Sequence, residues 1–436
     1  VQQRLRDFLD RRGTLVVAPF AMLAAFSTYF CMYAFRKPFA AGTWEDLDAA
    51  GVVSLKTAYV VAQIIGYAAS KFLGIRVCSE TTAEHRSRRL IALIIAALLP
   101  LATLPFLPGR WGTVAFVLNG LPLGMVWGLV VGSLEGRRVS ELLLAGLSVS
   151  FIVSSGVVKD VGLWLLSLGV PEPWMPFTAG ALFLPAFVLS VWLLGAVPPP
   201  SASDVAARSV REPMHAADRK AFLLRFGTGF GALVAVYMLL TAYRDYRDNF
   251  GVELFAELGV GDAAGIFTRT ETPIAFAVLC VLALLSLVRD HRHALAVTLG
   301  LVAVGTALPA VASLLRLQGV LSGTGWMIGT GLGCYLAYVP FNSVLFERLM
   351  AYTRARGNAV FAIYVCDAGG YAGTLGLLVA GDHLAGPGAR LAFFDRWGYV
   401  LALVSLALLV HATVFFLVRP NARVRPPSTF ASEPLP

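Results

Sequence analysis

Residues 14–39 read TLVVAPFAMLAAFSTYFCMYAFRKPF, an apolar run from Thr14 to Phe35 closed by Arg36-Lys37-Pro38-Phe39. A helix rising about 1.5 Å per residue carries such a run across the roughly 30 Å of hydrocarbon in a bilayer. The run is longer than the apolar core of a signal peptide (about 7–15 residues), and no small-residue cleavage site follows it. Arg4, Arg6, Arg11 and Arg12 precede it. The segment therefore reads as a retained membrane span with its basic flank held on one side.

Outward from this stretch the pattern repeats to the end of the chain. Apolar segments fall at 14–38, 53–75, 89–107, 111–134, 141–167, 174–197, 221–244, 263–288, 294–315, 320–346, 357–380 and 397–418. The composition agrees: 57% of the 436 residues are apolar and 14% charged, against about 25% charged in soluble domains. So much hydrocarbon has no water-soluble cover, and the expected fold is an all-α integral membrane protein of twelve transmembrane helices. The segment 198–219 opens on Pro198-Pro199-Pro200 and turns polar and basic. It reads as a cytoplasmic linker between bundles at 1–197 and 220–436, the second ending in a short tail.

Arginine placement sets the orientation. Arg76, Arg86, Arg88, Arg89, Arg137, Arg138, Arg208, Arg211, Arg219, Arg289, Arg292, Arg348, Arg354 and Arg356 lie on the same side as the N-terminal group, with Arg419, Arg423 and Arg425 after the last span. The opposite loops and helix ends are sparser in cations. Both termini are expected in the cytoplasm, and the chain in a bacterial inner membrane. The net charge of +9 is dispersed between apolar runs, a distribution that fits an anionic leaflet and excludes a nucleic-acid patch. The five cysteines form no close pair, and His291 and His293 flank one residue of a turn. Neither pattern has metal-ligand spacing, and no cofactor is expected.

The halves echo each other. Arg36-Lys37-Pro38-Phe39 closes the first span and Arg247-Asp248-Asn249-Phe250 the seventh, 211 residues on. Gly120 and Gly124 in the fourth span answer Gly329 and Gly333 in the tenth, 209 residues on. A near-constant offset at two places points to duplicated, pseudo-symmetric six-helix bundles. The third span carries no charged residue beyond Arg89 at its rim, the sixth and ninth none, and the twelfth only His411, so every third helix is expected against lipid and the rest around a shared aqueous interior.

Ionisable groups at membrane depth cost at least about 2.5–3.5 kcal/mol each and so ask for a reason. In the second span Lys56, Tyr59, Gln63, Tyr67 and Lys71 fall on one helical stripe. Both lysines could snorkel to opposite interfaces; the stripe with Gln63 and both tyrosines fits a cavity wall better. Arg36 and Lys37 end the first span, where an interfacial anchor is the plain alternative. Arg247 stands at the equivalent place in the second half with Arg244 one turn earlier, and Arg269 is the rough counterpart of Lys56. Two clusters of cations would draw an anion, and the arginine fork suits phosphate or carboxylate. Tyr364, Asp367, Tyr371 and Thr374 share a face of the eleventh span, with Asp367 near mid-membrane as a proton carrier or the partner of Arg36 or Arg247. Lys159 with Asp160, and Arg269 with Glu271, read as internal pairs of structural or coupling use.

These motifs resemble the major facilitator superfamily, and within it the organophosphate:phosphate antiporter group. That group has an aromatic-rich first helix ending in Arg-Lys-x-Phe, matched by Tyr33-Ala34-Phe35-Arg36-Lys37-Pro38-Phe39, and a second helix closing on Ser-Lys-Phe, matched by Ser70-Lys71-Phe72. The first-helix pattern is also similar to that of a bacterial branch without an assigned substrate. The resemblance implies alternating-access transport with anion-holding arginines on the first and seventh helices, hence Arg36 and either Arg247 or Arg244. Lys56 and Arg269 would be auxiliary charges, and Tyr33, Tyr59, Gln63, Tyr67 and Tyr364 would shape the pocket. The superfamily's Gly-x-x-x-Asp-Arg loop is missing its Asp-Arg at Gly74–Glu80, leaving Lys71 and Glu80 as gate residues. Expected partners are a small organic anion, the bilayer, and protons or inorganic phosphate as coupling ion, in a monomer without nucleic acid. A ligand sensor derived from a transporter and a membrane-embedded lipid-modifying enzyme are the other classes considered. The second has against it the lack of any large domain or interfacial His/Asp/Glu motif.

Overall fold

The structure is a computed structural model that describes residues 1–45, 53–79, 81–107, 109–134, 137, 140–200, 204, 216–260, 265–353, 359–385 and 388–418. Glu80 and most of the 198–219 linker lie outside the described residues. A short amphipathic helix, α1 (Gln2–Asp10), precedes the first half: α2 (Thr14–Tyr33), α3 (Leu55–Ser79), α4 (Ala83–Leu101), α5 (Gly112–Val131), α6 (Ser140–Ser167) and α7 (Met175–Gly195). The second half holds α8 (Ala216–Asn249), the short α9 (Gly251–Glu257), α10 (Ile266–Ser286), α11 (His291–Leu317), α12 (Gly323–Pro340), α13 (Phe346–Thr353), α14 (Ala359–Leu384) and α15 (Arg390–Thr413).

Among the described residues ten helices are long and apolar enough to cross a membrane. The second and tenth predicted spans, now α3 and α12, are not among them. Their sequences explain it: α3 carries the Lys56-to-Tyr67 stripe, and α12 has glycine at 323, 325, 329, 331 and 333. Both are membrane-length all the same, because α12 continues through a π-helical segment, Phe341–Leu345, into α13. The expected twelve-helix, two-bundle architecture is observed.

Several boundaries differ from the expected ones for identifiable reasons. The first helix stops at Tyr33, not at 38; Pro38 has no N–H to donate to the Ala34 carbonyl, so the helical ladder cannot run through it. A turn follows, then a 3-10 segment, Pro38–Ala41. The seventh helix runs to Asn249, five residues past its predicted end, so Arg244 and Arg247 sit on its last turns. The twelfth begins at Arg390 rather than 397 and draws Asp395 into the helix beside Arg316.

The glycine repeat is also used unequally. A Cβ on Gly120 would come within 2.3 Å of the Gln63 carbonyl oxygen, so this residue lets α5 lie directly on α3. At its counterpart Gly329 an added Cβ would meet Ala312 of α11, at 3.1 Å, instead of α10. The bundles meet where α6 crosses α10 and α3 crosses α14.

Candidate functional site

The site begins with the break in α2. With the helix stopped ahead of Pro38, the carbonyls of Phe35 and Arg36 lose their helical donors. Side-chain amides replace them: Asn119 Nδ2 donates to Phe35 O at 3.0 Å and Gln63 Nε2 to Arg36 O at 3.0 Å. Gln63 also donates to Asn119 Oδ1 at 2.8 Å, and Asn119 to Ala97 O at 2.7 Å. This buried network pins the Arg36 backbone to α3, α4 and α5.

The Arg36 side chain then enters a cage of tyrosines. Its guanidinium carbon lies 4.3 Å from the ring centre of Tyr67 and 5.9 Å from that of Tyr33. Tyr29 and, from the second half, Tyr371 are also within its electrostatic reach. Tyr67 and Tyr371 meet edge to face across the seam, 6.2 Å between centroids. Among the described residues no carboxylate pairs with Arg36, and its Nε has no hydrogen-bond partner. A cation facing only π-faces holds a charge that a small anion can match.

Arg244 lies on α8 of the second half. Its guanidinium stacks 3.8 Å above Tyr338 and holds Asp245 Oδ1 at 2.6 Å. Asp245 Oδ2 accepts from Thr374 at 3.0 Å. Beside it Tyr237 donates to Asp367 Oδ1 at 2.7 Å, and its hydroxyl oxygen accepts from the Tyr338 hydroxyl at 3.2 Å and from Asn342 Nδ2 at 3.3 Å. Asn342 belongs to the π-helical segment, a distortion that often accompanies functional sites. Tyr33 is in electrostatic reach of both Arg36 and Arg244, and Phe151 of α6 lies 6.2 Å from both Tyr335 and Tyr338.

Arg247, in contrast, is consumed. It is buried, bonded to Glu271 Oε1 at 2.7 Å and to Met327 O at 2.9 Å. This corrects the expected pairing of Glu271 with Arg269, and of Asp367 with Arg247. Arg269 is exposed at the start of α10. Lys159 and Asp160 do not pair either; each is taken by a group of the second half. Lys159 bonds Asp248 of the second half at 2.8 Å. Asp160 caps α10, accepting from Phe267 N at 3.2 Å, Thr268 N at 2.7 Å and Thr268 Oγ1 at 2.5 Å. The chain enters that helix through Gly265 at φ 69°, a left-handed turn that glycine adopts without strain.

Other sequence-predicted residues have more local partners. Lys56 is buried, held by Glu253 Oε1 at 2.6 Å and Ala40 O at 3.0 Å. Tyr59 donates to Gly109 O at 2.7 Å and packs on Trp44 and Phe116 within the first bundle. Tyr364 is 44% exposed on α14, and Lys71 lies on α3. Sequence reasoning misses Asn119, Tyr237, Asp245, Glu253 and Tyr338. Asn119 carries a signal, a lone amide in an otherwise apolar span; the others are paired with groups far along the chain.

Solved structures share this fold of two helical bundles. The chain is similar to the nucleoside transporter NupG (15% identity, 92% of this chain and 100% of that one, TM-score 0.59). It is similar also to a bacterial homolog of the human lysosomal transporter Spinster in an inward-facing, unoccupied conformation (13%, 95% and 100%, TM-score 0.61). A D-xylose–proton symporter shares the fold too (13%, 94% and 99%, TM-score 0.59). The chain itself belongs to a family of unknown function, DUF5690, whose pattern spans residues 38–419. No curated protein matches its sequence.

Proposed function

We propose that this protein is a secondary transporter that moves a small organic anion, a carboxylate or a phosphate ester, across the bacterial inner membrane by alternating access. One observation carries the reading: Arg36 is a membrane-embedded cation whose neighbours are aromatic faces and whose described surroundings hold no carboxylate for it. An isolated buried charge is costly, and an anionic visitor removes that cost. Arg244, bonded to Asp245 on the opposite wall, is the second-half residue aimed at the same space, while Arg247 serves the fold through Glu271. Tyr33, Tyr67, Tyr371 and Tyr338 shape the pocket. With both termini read as cytoplasmic from arginine placement, the ion pairs that join the two halves beyond Arg36 fall on the outer side of this reading.

Purified protein screened by thermal melting against matched carboxylates, phosphate esters, neutral sugars and amines tests this. Members of the two anionic classes raise the Tm, and neutral analogues of the same size leave it unchanged. A response to neutral sugars or amines alone would overturn the anion reading.

A further inference from the structure

An unbroken run of aromatic rings joins the two arginines of the site. From Arg36 it passes through Tyr33 to Tyr29, 5.6 Å between ring centres, and on to Trp127 of α5 at 4.8 Å. Trp127 meets Phe151 of α6 at 6.5 Å, and Phe151 crosses to Tyr338 of α12 in the second half at 6.2 Å. Tyr338 ends the run under Arg244, whose guanidinium carbon is 3.8 Å from the ring centre. Tyr29 and Tyr33 are buried, while Trp127, Phe151, Tyr338 and both arginines are half-buried. The run thus lies at depth in the bundles and still keeps open surface along its middle.

The way the rings meet leaves faces to spare. Tyr29 and Trp127 stand at 69° to each other, and Phe151 and Tyr338 at 84°. In an edge-to-face pair one ring offers its edge, so neither of its faces is spent on that contact. A flat conjugated ring stacks on such a face with an offset; a saturated ring has no π-system and gains only contact area. The far end needs no second anion, because Arg244 already holds Asp245.

We infer that the transported anion carries its charged group on a flat conjugated ring, as an aryl carboxylate or an aryl phosphate ester. The inference rests on the anion reading of Arg36 and narrows it. The charged group meets the Arg36 fork, and the ring lies against Trp127 and Phe151. Phe151 is where the run changes bundle, so a ring seated there is in reach of both halves at once.

Ligand pairs that differ only in ring saturation test this on the purified full-length protein. Dissociation constants are measured for benzoate against cyclohexanecarboxylate and for phenyl phosphate against cyclohexyl phosphate, with benzamide as the neutral ring. In the anion class that the site accepts, the aryl member binds roughly two- to tenfold tighter, the gain of a single ring–ring contact. The cyclohexyl member is the more apolar of each pair, so burial alone gives the opposite order. Phe151→Leu keeps the position apolar and removes its π-face; aryl binding falls to the cyclohexyl level, and cyclohexyl binding stays as it was. Should Phe151→Leu fail to fold, Trp127→Leu carries the same comparison. Equal affinities within both pairs, or tighter cyclohexyl binding, overturn the ring and leave the anion reading of Arg36 standing. So does a lack of binding by either aryl anion when small aliphatic anions raise the Tm. An aryl preference undiminished in both leucine variants overturns the placement on this run. Binding of benzamide without binding of benzoate or phenyl phosphate is the failure of the anion reading itself, and this inference falls with it.

Discussion

In the turn that ends α2, Arg36 has no carboxylate partner among the described residues and Lys37 reaches across to the other half; in the turn that ends α8, Arg247 is neutralised by Glu271 and Asp248 receives that lysine. The two turns stand 211 residues apart at matching places in the repeat. Positions lying on a pseudo-two-fold axis meet their own equivalents, and Lys37 and Asp248 are such a pair. Had the duplicated residues stayed alike, lysine would have faced lysine or aspartate aspartate. Divergence at Lys37 and Asp248 replaced a repulsive contact with an ion pair, and divergence in the surroundings of Arg36 and Arg247 left one arginine without a carboxylate among the described residues and paired the other with Glu271.

The largest expected effect lies on the second-half side of this comparison. Glu271→Ala strands Arg247 in a buried site and destabilises the protein by about 3–5 kcal/mol, the usual cost of removing one partner of a buried pair. Thermal melts of the single variant and of Arg247→Met/Glu271→Met measure it, and the double variant recovers most of the loss. An Arg247 that tolerates loss of Glu271 without a change in Tm would be as free as Arg36, and the contrast would fail.

A smaller effect is expected on the first-half side. Asn119→Leu leaves the Phe35 and Ala97 carbonyls without their side-chain donor, at about 1–3 kcal/mol. The same change loosens the turn that presents Arg36, so anion affinity falls along with the Tm. Loss of stability with unchanged affinity would mean that Arg36 is held by something other than this amide network.

Fold and site are unequally legible in the sequence. Apolar length and arginine placement are local properties, and they locate all twelve spans, including the polar α3 and the glycine-rich α12. Arg36 is legible because the Arg-Lys-Pro turn is contiguous. Its isolation from carboxylates is not, since that is a statement about what other segments fail to bring near. Ion pairs are misassigned wherever neighbours in sequence stand in for neighbours in space, as with Lys159 and Asp160. Their partners lie on the other bundle or several turns away: Lys37 with Asp248, Lys56 with Glu253, Arg247 with Glu271. Arg269 reads as lining because it occupies roughly the repeat position of Lys56, but it stands exposed at a helix start. Repeat spacing fixes the position of a residue along a helix; the direction of its side chain depends on how that helix is rotated, which the offset does not encode.

The central claim is that Arg36 binds the transported anion through the fork of its guanidinium. Uptake of an anion that stabilises the purified protein, measured in proteoliposomes containing wild-type or Arg36→Lys protein, tests it most directly. The charge is conserved while the planar two-donor geometry is lost, so uptake should fall by about tenfold or more, the kinetic equivalent of ~1.4 kcal/mol, with the melting profile of the ligand-free protein unchanged. Uptake by Arg36→Lys at the wild-type rate would contradict the account.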